Sequence, residues 1–420
     1  MNYLQQIYYE MKHQKMMTWV SISGTALAIF LVMVVVIAES IYTVEVQPET
    51  KRSRILYGMG LHLQGKNDSS TMGLSYEAAK DLYEGLDNVE TISYVDMTPG
   101  ANVRVPGGVT STLADKVTDS NIWKIYDYTF IDGRPYTEAE AESKARVAVL
   151  TRSSARKLFK EEKVAGRQIE VNTRPYTVVG VIEDPKPVLT QSFTEILRPF
   201  NPATLKDFGD GRWFGNLCVV ILAREGADIA GIKNQVKQRY KSLQTIVSKE
   251  QNSKVIYHQQ PFTSRDMAIG ADGSNTDPQT ESHDSRNAII LTILILLPAI
   301  NLSSMTRSRL RHRVTEIGVR RAFGASRSSI IRQILGENFI ITLLGGIIGL
   351  TLSFAFMALG SQMLFEFGDS ASSPDLSMIF SWKIFFSAFV ICFVLNLISA
   401  TVPAWKASKV QPAAAIAGSR

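Results

Sequence analysis

HRVTEIGVRRAFGASRSSIIRQILGENFIITLLGGIIGL, residues His312 to Leu350, passes from a basic stretch into an apolar one with almost no turn signal between them. Val314 to Val319, followed by Arg320 and Arg321, suits a short helix lying along a membrane surface. Gly324-Ala325-Ser326 then breaks it. Ser326 stands where its hydroxyl would cap the next helix, which is predicted to run from about Arg327 into the apolar run. Lys is absent between 307 and 337 while eight Arg occur there, a choice that favours planar two-point contacts with carboxylates or phosphates.

Working outward, the apolar run from Asn338 to Phe365 carries no formal charge for 28 residues. Three more such runs exist: 23 residues between Lys15 and Glu39, 20 from Asn287 to Thr306 and 22 from Ile384 to Trp405. Crossing a bilayer core of about 30 Å takes roughly 20 residues of helix, so each run is long enough. A cleaved signal peptide is the alternative for the first. Its apolar core would be only about 7 to 15 residues long, and Ala38-Glu39-Ser40 is a poor cleavage site. Buried core helices are the alternative for the other three, but uncharged runs of this length with polar ends argue for insertion. The expected fold class is a membrane protein with four transmembrane α-helices and a large mixed α+β extracytoplasmic domain between helices 1 and 2.

Composition fits this reading. The chain has 420 residues, 45% hydrophobic and 20% charged, with two Cys. Mean hydropathy is near zero despite that charge, so the apolar residues are clustered. Wholesale disorder and a disulfide-dense scaffold are excluded. The net charge of +6 raises nucleic acid as a partner until the charges are located. Residues 1–17, 307–337 and 406–420 hold 13 basic and three acidic residues, leaving 32 basic and 36 acidic for the rest. The imbalance marks the cytoplasmic side. It leaves no nucleic-acid footprint.

The expected organisation follows: a cytoplasmic segment 1–17, a first span 18–38, an extracytoplasmic domain 39–287, a second span 288–306 and a cytoplasmic loop 307–337. A third span 338–365, a short outer loop 366–383, a fourth span 384–405 and a cytoplasmic tail 406–420 complete it. Leu4, Ile7, Tyr8 and Met11 recur at helical spacing and predict an interfacial helix on the inner leaflet, a disordered tail being the alternative.

Within 39–287 the pattern is mixed. Helices are expected at Tyr76–Leu86, Ser153–Phe159 and Ile229–Ser248, and strands at Arg146–Leu150 and Leu217–Ala223. Gln168–Val171 and Tyr176–Ile182 read as a hairpin around Asn172-Thr173-Arg174-Pro175. Pro-rich stretches at 185–187 and 199–202 punctuate the domain, and two subdomains are expected. Gly60 to Lys66 matches most of a phosphate-binding loop, but Asn67 replaces the Ser or Thr that would hold magnesium. The five His (13, 62, 258, 283, 312) show no metal-ligand spacing, and Cys218 and Cys392 lie in different regions. No catalytic or metal site is expected.

In residues 312–349 the sequence resembles the permeases of the MacB, FtsX and LolC/LolE group of ABC transporters. Their shared motif is Glu-Ile-Gly-(Val/Ile)-Arg, then Ala, then Gly-Ala, and a Gly-rich span. Glu316, Ile317, Gly318, Val319, Arg320, Ala322, Gly324 and Ala325 match it. Pro403-Ala404, Ala407, Pro412 and Ala415 look like the group's ending. Asp132-Gly133-Arg134, Val147 to Leu150, Leu158-Phe159, Gly166 and Val178 to Asp184 are similar to a MacB-type periplasmic core. The group usually has Glu-Arg ahead of the motif where this chain has His312-Arg313, which puts local ion pairing in question.

The resemblance implies a permease of the bacterial inner membrane, with both termini cytoplasmic, that transmits ATP-driven motion to its outer domain to drive export or efflux. It implies no catalytic site, and no cofactor on this chain: ATP and magnesium would sit on a separate ABC ATPase, since 17 residues precede the first span. Glu316, Ile317, Gly318, Val319, Arg320 and Arg321 would form the coupling helix that docks on that ATPase, with Gly324 and Ala325 as its turn. Arg307, Arg309 and Arg311, at the span end, read instead as topology determinants that bind anionic membrane lipid. Pro298 would hinge or passively kink the second span. Gly345 and Gly349 would let helices approach closely, within one protomer or across a dimer. A second permease copy or paralogue is the expected dimer partner; a periplasmic adaptor and an outer-membrane channel stay open. So do two other functions, an FtsX-like regulator of an outer partner, whose outer domain is usually much smaller, and LolC/LolE-like lipoprotein release.

Overall fold

The computed structural model describes residues 15–40, 43–65, 69–97, 100–187, 189–201, 213–251, 254–270, 280–365 and 382–409. The amphipathic segment at Leu4 to Met11, nearly all of the short loop 366–383 and the Pro412 to Ala415 ending lie outside them. The chain divides into two compact units, one of residues 1–41, 281–364 and 374–420 and one of residues 42–280 and 365–373. Its first element is α1 (Lys15–Ser40).

The second unit carries the sheet. It opens with β1 (Ile55–Gly58), β2 (Leu61–Gln64), β3 (Ser69–Leu74), α2 (Tyr76–Tyr83) and β4 (Val89–Asp96). Next come β5 (Ala101–Arg104), β6 (Ser111–Leu113), β7 (Asp115–Thr118), α3 (Ile122–Ile125), β8 (Phe130–Gly133) and α4 (Glu138–Glu142). β9 (Val147–Thr151), α5 (Arg152–Phe159), β10 (Gln168–Val171), β11 (Arg174–Ile182) and β12 (Ile196–Pro199) follow. The unit closes with β13 (Phe214–Gly215), β14 (Leu217–Ala223), α6 (Ile229–Gln251), β15 (Lys254–Ile256), β16 (Phe262–Thr263) and α7 (Ser264–Ile269). The strands join in the order β15-β2-β3-β14-β4-β7-β12-β9-β11-β10-β5-β6, with β1, β8, β13 and β16 attached at the sides.

β14 shows why the sequence chooses this arrangement. Its seven residues LCVVILA are all buried. Leu217, Val219, Ile221 and Ala223 enter a core shared with α2 and α6, while Cys218, Val220 and Leu222 enter one shared with α3, α7 and Phe262. A strand covered on both faces has no polar side, which is why its pattern is continuous rather than alternating. A further core around Val103, Ala148, Ile169 and Val178 fills the region from β5 to β12, so apolar packing has separate centres along one sheet.

Local chemistry sets the element ends. Ser75 accepts from the Ala78 amide to start α2. α2 stops at Tyr83, short of the expected Leu86, because Gly85 takes a left-handed φ of 64°. The β10–β11 hairpin turns on two residues rather than the expected four: Asn172 and Thr173 hold φ of 48° and 69°, and Arg174 already pairs with Val171. That is the geometry of a type I′ turn, whose twist matches the strands. The stretch resembling a phosphate loop is instead β2, hydrogen-bonded to β3 on one side and β15 on the other.

The helical unit adds α8 (Thr280–His312), α9 (Val314–Ala322), α10 (Arg327–Phe365) and α11 (Trp382–Ser408) to α1. Among the described residues, Lys15–Val36 and Arg327–Phe356 are long and apolar enough to cross a membrane. α8 and α11 are formed over 33 and 27 residues, and α8 stays helical through Pro298. α1 and α10 interlock in parallel. Ile22 packs with Ile341, Thr25 faces Gly345, Ala26 and Ile29 face Gly349, and the rings of Phe30 and Phe356 meet edge to face at 5.6 Å. A Cβ on Gly345 would lie 2.9 Å from the Thr25 Cβ, and one on Gly349 2.6 Å from the Ala26 carbonyl oxygen. Only hydrogen fits at these two positions.

Candidate functional site

α9 is held against its own chain by one face. Ile317 joins Leu310, Ile330, Ile334 and Ala404 in a small apolar core, and Gly318 is buried beside it. Because α9 has 3.6 residues per turn, the same rotation turns Thr315, Val319, Ala322 and Phe323 outward. Val319 is 39% exposed and Phe323 89% exposed.

The turn after α9 explains Gly324 and Ala325. Gly324 takes φ of 92°, its amide donates to the Arg321 carbonyl at 3.1 Å, and the Ala325 amide donates to the Arg320 carbonyl at 3.0 Å. This paired closure needs a left-handed residue just past the helix, which glycine supplies without strain. Ser326 then caps α10, its hydroxyl oxygen accepting from the Ser329 amide at 3.3 Å.

Charge fixes α9 further. Arg313 donates to both oxygens of Glu337 at 3.0 and 3.1 Å, and pairs with Glu316 at 3.2 Å. Glu316 pairs in turn with Arg320 at 2.6 Å, and Arg320 donates to the Gln333 side-chain oxygen at 2.8 Å. Arg321 reaches the Ser408 carbonyl at 3.2 Å. The residue ahead of the motif, Arg313, therefore does find ion-pair partners. Of the residues expected to face an ATPase, Ile317 and Gly318 lie inward, Arg321 ties α9 to the end of α11, and Glu316 and Arg320 pair with each other while staying partly exposed. Val319 is open.

Two residues escaped the sequence reading. Phe323, between two matched motif positions, is the residue that follows the last turn of α9, and its side chain is more exposed than that of Val319. Glu337 reads as an ordinary polar residue at a span end, but it is buried and anchors Arg313. Arg309 also departs from the lipid-facing expectation. It is 9% exposed and donates to the Met17 carbonyl at 3.1 Å and the Ser21 hydroxyl at 2.6 Å, tying α8 to α1. Among the described residues, no group of three or more His, Cys, Asp or Glu side chains is arranged to hold a metal ion.

The arrangement offers a rigid, internally braced helix with a small apolar knob on its outer face, suited to insertion into a groove of another protein. Two protein families match the chain. The MacB-like periplasmic core domain family matches residues 18–239, and the FtsX-like permease C-terminal family matches residues 288–412. The macrolide export ATP-binding/permease protein MacB of Bdellovibrio bacteriovorus is 30% identical over 289 residues, which cover 69% of this chain and 41% of that protein. The pyoverdine export ATP-binding/permease protein PvdT of Pseudomonas syringae pv. syringae is 25% identical over 303 residues, covering 71% of this chain and 42% of the relative. An uncharacterized ABC transporter permease of Bacillus subtilis, YknZ, is 26% identical over 284 residues, 68% of this chain and 64% of the relative. The chain thus spans about two fifths of the length of the two export proteins.

Proposed function

Because the chain belongs to the MacB-like family of ABC transporter permeases, we propose that it is the membrane subunit through which an ABC ATPase drives export of a substrate. In this reading α1, α8, α10 and α11 all span the inner membrane, both termini are cytoplasmic, and residues 39–287 lie outside. The parallel run of α1 and α10 supports it, since two helices entering from the same side must run in the same direction. ATP and magnesium bind the ATPase, and two permease chains work as a dimer. The ATPase docks on α9, and its closure is passed along the membrane helices to the sheet unit. Export is favoured over a purely regulatory role by the relatives whose names specify it.

One observation carries the proposal: Val319 and Phe323 protrude from a helix whose other faces are locked by Ile317, Arg313, Arg320 and Arg321. A braced helix moves as a body when pushed, whereas a loosely held one would absorb the motion. A photo-reactive residue at position 323 tests this in cells. The expected product is a covalent adduct with an ABC ATPase, diminished by the charge of a second substitution, Val319→Asp. Adducts confined to lipid would remove the docking role.

A further inference from the structure

We propose that His62 and His258 form a binding site for a divalent transition metal, copper(II) or zinc(II), on one face of the β15–β2–β3 edge. This inference is independent of the transport reading. The two histidines are 196 positions apart, so no spacing in the sequence joins them. Strand pairing does. His62 lies opposite Ile256, the last residue of β15, and His258 stands two residues past that strand end with its ring centroid 5.1 Å from that of His62. His62 also lies opposite Thr71 across β2 and β3, which puts Ser69, two residues before Thr71, on that face too. Leu61 and Leu63 point the other way into the core, so the alternation of β2 delivers His62 to the partly exposed face.

The geometry is that of a metal chelate. His62 Nδ1 and His258 Nε2 share a hydrogen bond at 3.4 Å, with the rings tilted by 51°, and a metal would take the place of the proton between them. Two imidazole nitrogens bound to one tetrahedral metal at about 2.0–2.1 Å are separated by about 3.3 to 3.4 Å. On distance the pair suits tetrahedral zinc(II) as it stands, whereas tetragonal copper(II) would draw the two nitrogens to about 2.8 Å. Ser69 completes the logic: its hydroxyl lies 3.4 Å from His62 Nε2, the far nitrogen of the ring. When Nε2–H donates to Ser69, the lone pair is on Nδ1, and such an outer hydrogen bond is the usual device that orients a ligating histidine. With two protein ligands among the described residues, the remaining positions on the metal are filled by water. Binding is accordingly reversible, and copper(II) binds more tightly than zinc(II).

The full chain, purified in detergent with a histidine-free affinity tag, is titrated with copper(II) and with zinc(II) by calorimetry, and the copper form is examined by electron paramagnetic resonance. The expected result is one equivalent of either metal, with two imidazole nitrogens on the copper. His62→Gln and His258→Gln should each abolish that equivalent, His13→Gln should leave it, and Ser69→Ala should weaken it by about tenfold or more. If the His variants fail to fold, the wild-type spectrum decides alone. Fewer than two nitrogens on wild-type copper, or an equivalent that survives in the His62→Gln, His258→Gln double variant, overturns the site.

Discussion

At the scale of single residues, burial separates charges that look alike in the sequence. Glu316 and Glu337 both contact Arg313, but Glu337 is the buried partner and Glu316 the more exposed one. Removing a buried partner strands its counter-charge and costs about 3–5 kcal/mol, whereas an exposed pair contributes about 0.2–1 kcal/mol. Glu337→Ala should therefore lower the thermal unfolding midpoint of the solubilised protein clearly, and Glu316→Ala should barely move it. Equal effects from the two would contradict the buried anchor. Asp119 makes the same point in the sheet unit. Burial pushes it up to about 6, against hydrogen bonds from the Ser93 hydroxyl and the Tyr94 and Asn121 amides. A raised carboxyl means that the folded protein holds this proton more tightly than the unfolded chain does. Its stabilising contribution is thus full below the unfolded value, about 3.9, and is lost as pH climbs to about 6. Unfolding midpoints of wild type measured from pH 4 to 6 should fall relative to those of Asp119→Asn, and parallel curves would refute the shift.

At the scale of elements, what could be read ahead of the structure was whatever carries its own local signal. β14 announces itself by seven apolar residues, the start of α10 by Ser326, and the end of α9 by Gly324. β2 and β15 do not, because three- and four-residue strands take their identity from partners far along the chain. The α9 surface was only half legible. The expected docking helix includes Arg320, from the matched motif, and Arg321 beside it, and both make contacts within the chain, while Phe323 shows its exposure only once Ile317 has fixed the rotation of the helix. The Gly345–Gly349 pair left two packing partners open, and the structure supplies α1 as one of them. Gly349→Leu would drive a side chain into the Ala26 carbonyl, a backbone atom that cannot swing aside, and overpacking of this kind costs about 1–3 kcal/mol or more. A lower unfolding midpoint and loss of a disulfide engineered between α1 and α10 are expected. An unchanged midpoint with the disulfide still forming would contradict the tight contact of Gly349 with α1.

At the scale of the whole molecule, the basic charge of the chain separates into a strongly basic set of short segments and a slightly acidic remainder. The same segments contain α9, so the proposed membrane orientation and the proposed docking surface draw on one source in the sequence. The core-domain match, residues 18–239, takes in most of α1 and the sheet unit as far as α6, and the permease match, residues 288–412, covers nearly all of α8 together with α9 to α11. A permease worked by an ATPase should control that ATPase in return, because coupling between two sites is reciprocal. The decisive measurement is ATP hydrolysis by the co-purifying ABC ATPase, reconstituted in liposomes with wild-type chain or with Phe323→Asp. Wild type is predicted to stimulate hydrolysis several-fold, and the variant, folded and inserted to the same extent, to leave it at the level of the isolated ATPase. Equal stimulation by both proteins would contradict docking through α9.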